Sequence, residues 1–191
     1  MLLLAPPGAG KGTQGERLAA RYGVRHIAAG DLLRAEAQAG GPLGGEIAAY
    51  QSRGDLVPDQ VVLDVLTPAV VDAAAHGGYI LDGFPRNLPQ AHAAAELAAR
   101  LGVTLQAAVY LYAPDDVLTR RLLDRASQGG RTDDTAEVIR HRLELYAETT
   151  GPLVPYYTER GILVAVNADQ SPDAVTADIE GRLSKLSLPS S

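Results

Sequence analysis

A glycine-rich stretch near the N-terminus carries residue types that bind phosphate groups. Residues 5–13 read Ala-Pro-Pro-Gly-Ala-Gly-Lys-Gly-Thr and directly follow the apolar run of residues 1–4. Glycines let backbone N–H groups converge on phosphate oxygens, the following helix adds its positive N-terminal end, and Lys11 supplies a full charge. A glycine-rich turn with a surface lysine is the alternative. The position between an apolar run and a helix pattern favours phosphate binding.

A carboxylate and an arginine follow a second apolar run, within residues 81–90, which read Leu-Asp-Gly-Phe-Pro-Arg-Asn-Leu-Pro-Gln. An aspartate at the end of a parallel strand lies at the sheet edge where phosphate and metal sites form, so Asp82 could orient waters on Mg²⁺. The planar guanidinium of Arg86 could bridge two phosphate groups. A turn with an incidental ion pair is the alternative, and the phosphate-binding stretch upstream favours the functional interpretation.

A third polar stretch, residues 26–34, reads His-Ile-Ala-Ala-Gly-Asp-Leu-Leu-Arg. The pattern predicts a short strand, a turn at Gly30 and a helix with Asp31 at its N-cap. Arg34 then lies on the first helical turn, near enough to join a phosphate site. Taken alone, an exposed helix arginine is more often simply solvated.

Arginines are concentrated in one part of a chain whose formal net charge is −6. Guanidinium groups suit a transferring phosphoryl group because its charge spreads over several oxygens. A solvated face, on which nearby acidic residues pair with the arginines, is the alternative. The cluster supplies the local positive field that an acidic protein needs to hold a polyanion. Its members are Arg120, Arg121, Arg125, Arg131, Arg140 and Arg142.

Short apolar runs alternate with helix patterns along the chain. In the helix pattern after the phosphate-binding stretch, Leu18 and Tyr22 are spaced to face a core. The alternation predicts an α/β fold, in which helices cover a parallel sheet whose strands are buried on both faces. The predicted strands are residues 1–4, 79–81, 107–111 and 162–166.

Several helices are marked by particular residues. Pro68 lies inside a helix pattern that begins near residue 58, and it should bend or interrupt that helix. Asp134 has capping-box spacing to Glu137, and Ser171 precedes the last helix.

Composition limits the class of protein. The chain has 191 residues, 46% of them hydrophobic, which is enough for one compact domain. It contains no cysteine, so disulfides and thiolate zinc sites are excluded. The acidic charge argues against a nucleic-acid partner, and no apolar run is long enough to cross a bilayer, so we expect a cytoplasmic protein without a membrane partner. The four histidines lack metal-ligand spacing, and none is predicted to act as a base.

The phosphate-binding stretch resembles the loop of adenylate kinases and related nucleoside monophosphate kinases. A glycine between the lysine and the threonine, as at Gly12, is usual in that family, whereas Ala5 stands where the family commonly has glycine. Residues 82–86 resemble the family's Asp-Gly-Phe-Pro-Arg, and the motifs occur in the family's order over residues 1–185. The resemblance implies the three-layer P-loop NTPase fold, with a five-stranded parallel sheet flanked by helices.

The resemblance also implies how the chain is organised. One kinase domain spans residues 1–191, and a mobile helical region that binds the monophosphate covers about residues 28–57. Residues 126–134 form a short lid in place of the inserted lid domain, sometimes zinc-binding, of longer relatives, so no zinc is expected. The core consists of residues 1–27, 58–125 and 135–191.

For the donor nucleotide, the resemblance implies that Arg121 stacks on the ATP base and that Gln170 offers backbone contacts beside it. Arg120 and Arg140 do not match and are predicted to lie on the surface. The implied ATP-binding residues are Gly8, Ala9, Gly10, Lys11, Gly12, Thr13, Arg121, Arg125 and Gln170. The residues implied to stabilise the transition state or position the metal are Lys11, Asp82, Arg86, Arg125, Arg131 and Arg142.

For the acceptor nucleotide, the residues at two positions favour different bases. Ala29 stands where adenylate kinases usually have threonine, and alanine occurs there in UMP/CMP kinases. Gln90 stands where the family's glutamine recognises adenine, and AMP is favoured because a side-chain amide reads the base edge directly. The implied AMP-binding residues are Ala29, Arg34, Asp55, Leu56, Val57, Gly83, Arg86, Gln90, Arg131 and Arg142.

The implied reaction is the reversible, Mg²⁺-dependent transfer of a phosphoryl group from ATP to AMP, which yields two ADP. Asp82 would act on the magnesium ion through water, with no direct protein ligand. A UMP/CMP kinase of the same fold is the nearest alternative. A nucleotide-binding regulator without catalysis and an ATP-hydrolysing P-loop protein are more distant ones. The resemblance suggests a monomer whose partners are nucleotides.

Overall fold

A five-stranded sheet forms the centre of the computed structural model, which describes residues 1–127 and 135–186. All neighbouring strands run parallel, in the order β2-β3-β1-β4-β5. The strands are Leu2–Leu4 (β1), Arg25–Ala28 (β2), Tyr79–Asp82 (β3), Ala108–Tyr112 (β4) and Leu163–Asn167 (β5). The predicted α/β fold is confirmed, and each of the four apolar runs forms a strand within one residue of its expected ends.

Helices connect the strands and cover both faces of the sheet. None of those in the described ranges is long and apolar enough to span a bilayer. A π-helical turn, Tyr146–Thr150, follows α7. The α-helices are Lys11–Tyr22 (α1), Ala29–Ala39 (α2), Gly41–Arg53 (α3), Asp59–Ala75 (α4), Leu88–Arg100 (α5), Asp115–Ser127 (α6), Ala136–Leu145 (α7), Leu153–Glu159 (α8) and Pro172–Leu183 (α9).

Two hydrophobic cores lie on opposite faces of the sheet. In β1, Leu2 and Leu4 pack into one core and Leu3 into the other, and all three are at most 4% exposed. Successive side chains of a strand point to opposite faces, so an apolar run without alternation requires cover on both sides. Ile47 of α3 belongs to the first core, and Ile179 of α9 belongs to the second.

The strand order brings the polar motifs to one edge of the sheet. Leu3 of β1 and Ala28 of β2 are both in register with Asp82 of β3, so these strands end side by side. The chain passes from β1 to β2 and β3 on one side, then to β4 and β5 on the other. In open parallel sheets, ligands bind beyond the carboxyl ends of the strands at such a reversal.

Two predicted N-caps are wrong, and a third is confirmed. Helix α2 begins at Ala29 without a side-chain cap, because β2 runs directly into it and carries Asp31 into the first turn. There Asp31 bonds to Arg34 and still complements the positive helix end. Asp134 lies outside the described residues; α7 is capped by Thr135, whose hydroxyl accepts from Val138 N at 3.3 Å. Ser171 caps α9 as predicted.

Two other local predictions have different outcomes. Helix α4 continues through Pro68, so this proline does not interrupt the helix, and the bend that was the other predicted effect stays a prediction. Tyr22 is 48% exposed rather than in the core, because it is the last residue of α1 and Gly23 ends the helix there. Leu18, one turn earlier, is fully buried as predicted.

Candidate active site

A cavity of about 440 Å³ opens at the carboxyl edge of the sheet. Its wall combines the phosphate-binding stretch, the end of β3, the loop after α3, and arginines of α6 and α7. Residues that are distant in sequence and predicted to bind two different nucleotides therefore share one cavity. The predicted residues in this wall are Gly8, Gly10, Lys11, Gly12, Thr13, Arg34, Asp55, Leu56, Val57, Asp82, Gly83, Arg86, Gln90, Arg121, Arg125 and Arg142.

The remaining predicted site residues are placed differently. Ala9 and Ala29 are 3% and 1% exposed and pack into the two cores. The Gln170 amide donates to the carbonyl oxygen of Asn167 at 2.9 Å, in the loop after β5. Arg131 lies outside the described residues. The nucleotide contacts of these residues stay predictions.

Two glycines shape the phosphate-binding stretch. Gly8 has φ +86°, and a Cβ there would lie 2.7 Å from the backbone oxygen of Leu118 in α6. Gly10 has φ +85° and is the N-cap of α1, without a side-chain cap. Glycine therefore allows the stretch to pack against α6 and enter the helix in a left-handed conformation. The first backbone N–H groups of α1 have no capping side chain and remain suited to an anion.

The variants Gly8→Ala and Gly12→Ala should distinguish a glycine required for folding from a glycine required for ligand binding. The left-handed backbone at Gly8 alone costs an alanine about 1–3 kcal/mol, and the contact with Leu118 adds to it. Apart from its chain neighbours and the backbone of its own helix, a Cβ at Gly12 would meet no heavy atom of the described residues within 4 Å. We expect Gly8→Ala to lower Tm by about 2–4 °C per kcal/mol lost, and Gly12→Ala to leave Tm unchanged or slightly higher while raising the KM for ATP. A lowered Tm in Gly12→Ala would contradict this, as would an unchanged Tm in Gly8→Ala.

Asp82 combines burial with an unsatisfied oxygen. It is 6% exposed, and its Oδ1 is buried with no hydrogen-bond partner among the described residues. Such an oxygen is costly unless it meets a donor or a cation. The described residues include no cluster of three or more His, Asp or Glu that could hold a metal ion. Asp82 and the hydroxyl of Thr13, in the same cavity wall, fit a hydrated Mg²⁺ carried by substrate phosphates.

His26 lies closer to this site than the sequence indicated. Its Nε2 is 3.7 Å from Oδ2 of Asp82. The ring packs against α1, where a Cβ on Gly15 would lie 2.2 Å from that nitrogen. A search for metal-ligand spacing could not find this residue, because its neighbours come from β3 and α1. The contact forms only when β2 pairs in parallel with β3, where His26 is in register with Ile80, two residues before Asp82.

Hydrogen bonds hold both the backbone and the side chain of Arg86. Its Nε donates to the carbonyl oxygen of Gly83 at 2.8 Å, and its backbone N–H donates to Oε1 of Gln90 at 2.7 Å. Its carbonyl oxygen accepts from Thr150 Oγ1 at 2.8 Å. Thr150 belongs to the π-helical turn, which the sequence pattern did not indicate and which also contributes Tyr146 to the cavity wall. Arg86 is therefore presented to the cavity in a defined position.

Asp55 joins the predicted acceptor region to α7. Its carboxylate accepts from Arg53 Nε at 2.8 Å and contacts His141 Nε2 at 2.9 Å. The hydrogen bond from Arg53, followed by that from His141, lowers the pKa of Asp55 below its ordinary value. Arg142, next to His141, packs beside Gly54. The helix that carries Arg142 is thus docked on the segment that contributes residues 55–57 to the wall.

The fold and the cavity together define a class of protein. Three features lie at the strand-order reversal of the parallel sheet: a glycine-rich loop between β1 and α1, a buried carboxylate on β3 whose Oδ1 has no hydrogen-bond partner among the described residues, and a cationic cavity wall. This arrangement is typical of P-loop phosphotransferases that act on nucleotides.

Similarity to known proteins narrows the class. The family model described as "Adenylate kinase" matches residues 3–162. The adenylate kinase of Synechococcus sp. (strain WH7803) is 46% identical over 184 residues, which cover 96% of this chain and 97% of that protein. The adenylate kinase of Xanthomonas euvesicatoria pv. vesicatoria (strain 85-10) is 42% identical over 185 residues, covering 97% and 99%. The chain belongs to the adenylate kinase family.

Proposed function

We propose that this chain catalyses the reversible transfer of the terminal phosphoryl group of ATP to AMP, forming two molecules of ADP. One observation carries the proposal: the phosphate-binding stretch and the residues predicted to bind the acceptor line the same cavity. Two nucleotides bound there would hold their reacting phosphates in one small volume, and such positioning supplies a large part of the rate enhancement in phosphoryl transfer. Relatives of nearly equal length that are named adenylate kinase support it.

Charge stabilisation is the second requirement of this reaction. Lys11, Arg86, Arg125 and Arg142 all line the cavity, and Arg131 is predicted to join them. Donors that are already oriented stabilise transition-state charge without reorganising, which describes Arg86, because hydrogen bonds anchor its backbone and its side chain. Magnesium, when bound with ATP, would neutralise phosphate charge, and Asp82 and Thr13 are the residues that would hold its waters.

No side chain is needed as a general base. The acceptor is a phosphate whose second ionisation has a pKa of about 6, so it is already largely deprotonated and nucleophilic near neutral pH. Its oxygens need only orientation, and Arg34 and Arg86, which both line the cavity, are the residues we propose for this role. Exclusion of water would fall to the predicted lid over about residues 126–134, of which residues 128–134 lie outside the described part of the chain, so the lid stays a prediction.

The base of the acceptor is assigned to adenine through Gln90. This residue is 2% exposed yet belongs to the cavity wall, so its amide can meet a base that enters the cavity. Ala29 is buried in the core and offers no hydroxyl to any base. The amide of Gln90, and not residue 29, is therefore the polar group proposed to recognise the base.

The test is product analysis with ATP and Mg²⁺ plus AMP, UMP, CMP or GMP in separate reactions. We expect AMP to be phosphorylated with a kcat/KM at least about tenfold above the others, because GMP and UMP would leave polar groups of the base site unpaired and the smaller base of CMP would fill the site less well. A reaction without acceptor measures ATP hydrolysis. Preference for UMP or CMP would replace the proposal with a pyrimidine monophosphate kinase, and hydrolysis alone would contradict phosphoryl transfer.

A further inference from the structure

Both ends of the Gln90 side-chain amide are bound within the protein. Oε1 accepts from the backbone N–H of Arg86 at 2.7 Å, and Nε2 donates to Oδ1 of Asp59 at 2.6 Å. Asp59 is the first residue of α4, whereas Gln90 lies in α5. Asn87, the N-cap of α5, also donates to Asp59 Oδ1, at 3.3 Å. The first residue of α4 therefore binds Gln90, the side chain that is predicted to recognise the base.

These two partners determine which way the amide faces. A backbone N–H only donates and a carboxylate only accepts, so Arg86 must face the amide oxygen and Asp59 must face the amide nitrogen. Rotation of the amide by 180° would place two donors together at Arg86 and two acceptors together at Asp59. Oε1 retains a second lone pair and Nε2 a second hydrogen. The cavity wall thus offers a base one acceptor and one donor in a set order.

We propose that Asp59 is a positioning residue that, together with the backbone N–H of Arg86, fixes the orientation of the Gln90 amide and so sets the base preference of the acceptor site. This inference rests on the proposed function, because it concerns how the same site selects its acceptor. Asp59 does not have to contact the base for this role. Its carboxylate acts through Gln90, at a distance of 2.6 Å.

The order of the acceptor and the donor on the Gln90 amide distinguishes the nucleobases by their hydrogen-bonding edges. Adenine presents its exocyclic amino donor beside the N1 acceptor, and cytosine presents the same order. Guanine and uracil present a carbonyl acceptor beside an N–H donor, which is the reverse. An amide held in one orientation pairs with only one of these orders when the phosphate fixes the direction of the base. Asp59 therefore favours AMP over GMP and UMP, and the size of the cavity must distinguish adenine from cytosine.

Three variants of Asp59 test this assignment. Asp59→Ala removes the acceptor, Asp59→Ser keeps a polar residue suited to a helix start but too short to reach the amide, and Asp59→Asn retains an oxygen that can accept. Asp64→Ala is the matched control, because Asp64 accepts from Gln60 Nε2 at 2.8 Å on an exposed part of the same helix. The measurements are kcat and KM for AMP and GMP at saturating ATP, the KM for ATP, and the thermal unfolding midpoint.

We expect Asp59→Ala and Asp59→Ser to lower the ratio of kcat/KM for AMP to that for GMP by about tenfold or more, mainly through the KM for AMP. Asp59→Asn should retain most of the ratio, and Asp64→Ala all of it, with the KM for ATP unchanged throughout. If Asp59→Ala does not fold, Asp59→Ser gives the same comparison.

An unchanged or increased ratio in the folded Ala or Ser variant would overturn the inference, because Asp59 would then not orient the amide towards adenine. A ratio in Asp59→Asn as low as in Asp59→Ala would also contradict it. Failure of the proposed function is a separate result, since it would appear as absent AMP phosphorylation in the unsubstituted protein.

Discussion

Replacing Lys11 with alanine is expected to reduce phosphoryl transfer by about a hundredfold to a thousandfold, the range seen when one transition-state donor is removed. Lys11 is the first residue of α1 and lines the cavity beside the glycines of the phosphate-binding stretch. Its ammonium would follow the charge that develops on the transferring group. Initial rates with ATP and AMP, together with the thermal unfolding curve, measure both consequences.

The matched control is Lys185→Ala. Lys185 is the only other lysine of the chain and is exposed beyond the end of α9. Its removal changes net charge by the same amount as Lys11→Ala, so an effect of charge on the whole protein would appear in both variants. We expect normal rates and Tm for Lys185→Ala and a normal Tm for Lys11→Ala. Near-normal turnover in Lys11→Ala would show that this lysine does not stabilise the transferring group.

Asp82→Asn is expected to lose activity while the fold becomes no less stable. The substitution removes the charge that would hold a hydrated Mg²⁺, and we expect a loss of about a hundredfold at a Mg²⁺ concentration that saturates the unsubstituted protein. The buried Oδ1 of Asp82 has no hydrogen-bond partner in the part of the chain described, and an unsatisfied buried carboxylate oxygen carries a desolvation cost. A neutral amide of the same shape should leave Tm equal or higher, as often occurs when a functional site is relaxed.

Two measurements test this expectation. Rates measured across a Mg²⁺ titration test the loss of activity, and thermal unfolding without metal tests the effect on stability. Asp72→Asn provides the control, because Asp72 is an exposed carboxylate paired with Arg25 at 2.5 Å on the surface. It should change neither the Mg²⁺ dependence nor Tm appreciably. Normal Mg²⁺ dependence in Asp82→Asn would remove Asp82 from the metal site. A markedly lower Tm would mean that the carboxylate stabilises the fold.

The sheet could be predicted from the sequence because its strands are buried on both faces. The run Leu2–Leu4 has no polar position, which is consistent only with cover on both sides, and the two cores divide its side chains. The phosphate-binding stretch could also be predicted, because the local backbone conformation requires glycine there. Gly8 and Gly10 adopt left-handed backbone angles that other residues rarely accept.

The ends of helices were harder to predict because neighbouring residues can satisfy the same requirement. Asp134 and Thr135 both have capping side chains, and only the backbone decides that Thr135 caps α7. Tyr22 has the spacing of a core residue, yet the helix ends at Gly23 before the sheet can cover it. The spacing of apolar residues shows which residues share a face of a helix, but their burial also depends on where the helix ends.

The contacts that organise the site were not predictable from local sequence. Gln90 could be identified from its motif, but its partner Asp59 is 31 positions away and meets it only after α4 and α5 pack. His26 reaches Asp82 through strand pairing and through the space left by Gly15. Thr150 holds Arg86 from a π-helical turn. Each contact depends on tertiary packing, which a motif does not encode.

Incubation of the purified protein with ADP and Mg²⁺ alone is the most direct test of the central claim. A reversible enzyme with a donor and an acceptor site in one cavity must convert ADP into ATP and AMP, and we predict that the two products appear in equal amounts without release of phosphate. Lys11→Ala should abolish most of this conversion. Formation of AMP with free phosphate, or no conversion of ADP by the folded protein, would contradict the account.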